Sequence, residues 1–117
     1  MKIITGKRGC GKTTELIRLC AKYKHAVIVC PNNSQVVHVS IMAQKMGFNI
    51  PQPITFYDFT HKNYSKSNVD AFLFDNLDMS LSAVTDGEST IDAISFSDNR
   101  VKTNEIKKED KVKCRRG

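Results

Sequence analysis

Apolar positions along the chain fall into two kinds of run. Ala26-Val27-Ile28-Val29-Cys30 is unbroken, the pattern of a parallel strand covered on both faces. Ala71-Phe72-Leu73-Phe74 repeats it, entered from Asp70 and closed by Asp75. Longer stretches space their apolar residues at helical intervals. From Lys12 to Tyr23, Leu16, Ile17, Leu19, Cys20 and Ala21 form a broad apolar face opposite Glu15, Arg18 and Lys22. From Gln35 to Met46, Val36, Val39, Ala43 and Met46 share a helical face, while Val37, Val39 and Ile41 also alternate as in a strand. The Asn/Ser cap at 32–34, the length and Gly47 as a stop favour helix.

Shorter elements fill the gaps. Lys2 to Thr5 reads as a first strand and Ile54 to Phe56 as a brief one, with a helical turn from Tyr57 to His61. Residues 63–68 are polar and read as exposed. Met79 to Val84 reads as a short helix, Thr85 to Glu88 as a turn broken by Gly87, and Ile91 to Phe96 as a last strand. Strands alternating with helices predict an α/β fold. Its architecture is a three-layer sandwich with a mainly parallel sheet of about five strands.

Composition narrows the class. At 117 residues, 40% hydrophobic and 26% charged, the chain reads as one soluble globular domain. No apolar run approaches the ~20 residues that span a bilayer. The glycines at 6, 9 and 11 interrupt any secretory leader, so a cytoplasmic location without membrane attachment is expected. The four cysteines, Cys10, Cys20, Cys30 and Cys114, follow no zinc spacing with His25, His38 or His61. The net charge of +6 is uneven. Residues 1–99 hold ten Lys/Arg against nine Asp/Glu; residues 100–117 hold eight against three. The sequence therefore divides into a nearly neutral body, 1–97, and a basic tail, 98–117. The tail buries too little apolar surface to fold alone and reads as a frayed helix or disordered. Its charge makes it a candidate nucleic-acid contact, with a solvated terminus the plainer alternative.

The chemistry concentrates at the start. Gly6-Lys7-Arg8-Gly9-Cys10-Gly11-Lys12-Thr13 fits G-x-x-x-x-G-K-[ST], set between a candidate strand and a candidate helix. Glycines let the backbone wrap so that its N–H groups converge on phosphate oxygens. Lys12 reaches the terminal phosphates, and Thr13 offers a hydroxyl to Mg²⁺. Phosphate binding falls to Gly9, Cys10, Gly11, Lys12, Thr13 and Thr14, at the positive end of the following helix. Cys10, near that helix start, is a candidate low-pKa thiol, though an ordinary loop occupant is the commoner case. Asp75, ending an apolar strand, is the matching Mg²⁺ carboxylate.

The order of elements resembles a P-loop NTPase core, and in detail the first RecA-like domain of superfamily 1 and 2 helicases. Gly9 to Thr13 looks like motif I, Val27 to Pro31 like motif Ia, Ile54 to Phe59 like the Thr-Phe segment called Ib, and Phe74-Asp75-Asn76 like motif II. Ser97 sits where a polar residue ends the sensing strand. Small stand-alone phage and prophage P-loop proteins have the same layout. The resemblance covers residues 1–97 and implies ATP and Mg²⁺ as ligands, with Ser97 and Asn76 near the terminal phosphate or its attacking water.

Two departures bear on activity. Helicases usually place Glu directly after the motif II Asp; here that residue is Asn76, whose amide holds water but accepts no proton. Asp78, three residues past Asp75, stands in only if the turn presents it inward. The second RecA-like domain, with its arginine finger, has no counterpart. The sequence thus predicts nucleotide binding with weak NTPase activity, Lys12 and Asn76 being the catalytic candidates. A partner protein or self-assembly would complete the site. A nucleic-acid accessory module with a non-hydrolysing nucleotide site is the alternative. A kinase is disfavoured because no arginine-bearing lid is visible. Lys7 stands where ParA-like ATPases carry an extra lysine, but Arg8 replaces the glycine that follows there, and Lys7 and Arg8 read as exposed.

Overall fold

The computed structural model describes residues 2–7, 9, 11–86, 92–95, 97 and 102–106, with backbone alone at 102, 104 and 105. Element order is β1 (Lys2–Gly6), α1 (Lys12–Lys22), β2 (Ala26–Cys30), α2 (Asn33–Met46), β3 (Ile54–Thr55), α3 (Phe56–Thr60), β4 (Ala71–Phe74), α4 (Leu77–Val84) and β5 (Lys102–Ile106). A 3₁₀ turn at Lys66–Asn68 leads into β4. The fold is α/β with parallel strand pairing, as expected.

The central sheet has three strands in the order β3-β2-β4. β2 lies in the middle and all five of its residues are buried, which is why its sequence is apolar without alternation. Its two faces are nonetheless distinct. Ala26, Ile28 and Cys30 point with Leu73 into a cluster made by Leu16, Ile17 and Cys20 of α1 and Val36, Val39 and Ala43 of α2. The opposite face is aromatic. Phe72 and Phe74, in register with Val27 and Val29, meet the Phe59 ring edge-on at 4.9 Å each. Tyr64 closes against Phe72 at 5.1 Å. Aromatic pairs of this geometry add about 0.5–1.5 kcal/mol each beyond their buried area.

Helix ends follow local chemistry. The Asn32 side chain accepts the Gln35 N–H at 2.9 Å and caps α2. Gly47 ends α2 in the left-handed region at φ 80°, its N–H bonding back to Ala43 and Gln44. Thr55 and Asp58 form a reciprocal capping box on α3. These caps fix α2 and α3 as the sequence anticipates, and α2 is helical despite its partial alternation.

Three expectations need correction. A single sheet of about five strands is not formed by the described residues: β1 pairs only with β5, in parallel register from Lys2↔Lys102 to Gly6↔Ile106, as a separate two-stranded sheet. Residues 92–95 are exposed and carry no strand, while Ile91 and Phe96 at the ends of that predicted strand lie outside the described residues. The tail is neither helical nor free at 102–106, because β1 gives that segment a ladder the tail cannot supply for itself. The rest of the tail, 98–101 and 107–117, and the breaker Gly87 lie outside the described residues. No helix among the described residues is long and apolar enough to cross a membrane.

Two substitutions separate packing from backbone terms. Ile28 has no exposed surface, so Ile28→Ala should cost about 2–5 kcal/mol in urea unfolding. At Gly47 an added Cβ would meet no atom within 4 Å, so Gly47→Ala should cost only the left-handed penalty, about 1–2 kcal/mol.

Candidate functional site

The pleat of β4 decides where Asp75 faces. Alternation carries Leu73 and then Asp75 to the side of the sheet covered by α1 and α2. The Asp75 N–H bonds to the Val29 carbonyl at 2.9 Å, which extends the β2–β4 ladder by one residue and fixes the backbone there. The carboxylate is 4% exposed. Thr13, in the first turn of α1, donates its hydroxyl to Asp75 Oδ1 at 3.1 Å. Gln35, in the first turn of α2, donates Nε2 to Oδ2 at 3.0 Å. Among the described residues no Lys, Arg or His pairs with it.

The glycine-rich segment leads directly into α1. Gly9 and Gly11 have φ of 82° and 87°, and Gly11 is the N-cap of α1 with no side chain to cap it. That left-handed cap is what a residue with a Cβ would resist. Lys12 folds back over the loop, its ammonium donating to the carbonyls of Gly6 at 2.8 Å and Lys7 at 2.7 Å. The structure thus joins Thr13 to Asp75 across 62 positions, while the ammonium of the neighbouring Lys12 turns to the loop carbonyls. No family model, curated protein or solved structure matches the chain.

The remaining candidates divide. Thr14 spends its hydroxyl on Met42 Sδ of α2 at 3.7 Å, leaving only its backbone N–H for an anion. Asn76 adopts φ 56° and ψ 56° as the N-cap of α4 and makes no side-chain capping bond. Its carbonyl accepts from Met79 and Ser80. Asp78 is exposed on α4, and Ser97 is exposed with no described contact to Asp75 or Thr13. Cys10 and Arg8 lie outside the described residues; Lys7 is exposed, as expected.

Gln35 is the residue that sequence reasoning missed. It stands three after an Asn cap, the position from which a Gln side chain commonly reaches back to the cap's own N–H. The contact to Asp75 spans 40 residues and leaves no mark in local sequence.

Chemically, a hydroxyl and a carboxylate are hard oxygen donors and fit Mg²⁺. That ion takes one or two protein carboxylates and completes its octahedron with water and phosphate oxygens. Among the described residues no group of three His, Cys, Asp or Glu could enclose a metal.

Cys30 lies on the same face of the sheet. Burial, and secondarily the Asp75 carboxylate, push its thiol up to about 12; burial also raises Cys20. Both are free thiols in the core. Thiol reagents at pH 8 should label Cys20 and Cys30 only on unfolding, as read by peptide mapping. Raised folded-state pKa values leave stability intact below the ordinary thiol value of 9.0 and erode it as pH climbs toward about 12. Cys30→Ala should flatten that decline in pH-dependent urea melts.

Proposed function

We propose that this chain binds a Mg²⁺–nucleoside triphosphate through a minimal P-loop site, with ATP the nucleotide its helicase-like motifs imply. The observation that carries the reading is the 3.1 Å contact between Thr13 and Asp75 beside a glycine-rich turn holding Lys12. Main-chain N–H groups from Gly9 to Thr14, Cys10 included, would donate to the phosphate oxygens, and the α1 N-terminus would favour their charge. The Lys12 ammonium would exchange its two carbonyl partners for phosphate oxygens, trading neutral acceptors for charged ones. Thr13 Oγ1 and Asp75, the latter through water, would hold Mg²⁺. Held there, that ion would offset the negative charge of the phosphates.

Hydrolysis is the weaker half of the proposal. Asn76 can orient a water with its amide but cannot take its proton. Asp78, exposed on α4, is a poor replacement. We therefore assign the chain to nucleotide binding with slow or partner-dependent turnover, a partner or second copy supplying the missing charge.

Fluorescent-nucleotide titration tests this. Lys12→Ala should weaken binding by about 10–100-fold, the range for losing hydrogen bonds to a charged group. Equal affinity in wild type and variant overturns the reading.

A further inference from the structure

Asp75 has two carboxylate oxygens, and the nucleotide reading above uses only the one facing Thr13. The other is held by Gln35 at 3.0 Å. We propose, resting on the Mg²⁺–nucleotide reading of this site, that Gln35 is a positioning residue for the metal. Its amide fixes the rotation of the Asp75 carboxylate, so that Oδ1 is offered toward Thr13 and a divalent cation.

Gln35 is suited to this because it is itself fixed. Its backbone N–H is bonded to Asn32 Oδ1 at 2.9 Å. The next residue, Val36, is buried in the core and bonds to the Asn32 carbonyl at 3.1 Å. The amide therefore projects from a capped, packed helix turn. Its Nε2 takes no other partner among the described residues. A buried carboxylate with no cationic partner among the described residues needs such a donor, since an unsatisfied charged oxygen is costly to bury.

Gln35 holds the carboxylate oxygen that Thr13 does not. The Thr13 hydroxyl donates to Oδ1 in this structure. It can ligate a cation through a lone pair while its O–H keeps that donation. Among the described residues, Gln35 is the side-chain donor on Oδ2. Partners that orient a metal ligand from behind typically change metal affinity by 10–100-fold when removed. The arrangement also links metal loading to α2, through one amide at the start of that helix.

The test separates metal from nucleotide. Fluorescent-nucleotide affinity is measured in EDTA and across a Mg²⁺ titration for wild type, Gln35→Met, Gln35→Leu and Gln35→Glu, with thermal melts confirming that each folds. Gln35→Met keeps the shape and removes the donor; Gln35→Leu is the second such variant. Both should match wild type in EDTA and need about 10–100-fold more Mg²⁺ to reach the half-point. Gln35→Glu cannot donate to Asp75 and should not restore the wild-type midpoint. An unchanged Mg²⁺ midpoint in Gln35→Met or Gln35→Leu overturns the proposal. Weaker nucleotide binding in EDTA also overturns it, because that marks a general structural role. Tighter Mg²⁺ dependence in Gln35→Glu overturns it by making position 35 a direct ligand. Wild-type protein that binds no nucleotide under either condition defeats the underlying reading as well, and shows this before any variant is compared.

Discussion

A carboxylate taken out of water must be satisfied by its surroundings, and Asp75 is satisfied by two helices. It is 4% exposed, at the end of a strand whose ladder fixes its backbone. Each oxygen receives one side-chain hydrogen bond, from Thr13 on α1 and Gln35 on α2. Neutral donors stand where an ion pair would usually be expected. The packing of α1 and α2 on β2 brings both donors within reach, so the aliphatic core and the polar site depend on each other. Ile17, Ile28 and Val39, all without exposed surface, set the spacing on which these two hydrogen bonds rely.

The glycine-rich turn is engaged in the same way. Its lysine is held by the carbonyls of Gly6 and Lys7, so the positive charge is already curled over the segment that would cradle an anion. A phosphate entering there would replace existing hydrogen bonds at Lys12. Gross contact energies would overstate its affinity for that reason.

Much of this was legible in the sequence because it is local. The unbroken apolar run of β2, the Asn32 cap and the Gly47 stop are written within a few residues of where they act. What was not legible is what depends on distant partners. β5 is a strand because β1 offers it a ladder, and its own composition of Lys, Thr, Asn, Glu and Ile gives no such sign. Ile91 to Phe96 carried an apolar pattern, yet 92–95 form no ladder. The Gln35 contact to Asp75 is invisible for the same reason, since a polar residue early in a helix looks like a surface residue until the neighbouring strand is placed. Thr14 likewise shows its partner only in three dimensions, its hydroxyl being turned to Met42 of α2.

The junction between β4 and α4 has a consequence for what this chain can become. Asn76 holds φ 56° and ψ 56°, a conformation that asparagine tolerates better than most side chains with a Cβ. A glutamate introduced there would have to bear that backbone or force the strand-to-helix turn to reshape. Position 76 is therefore constrained by the path of the main chain as well as by the chemistry of its side chain.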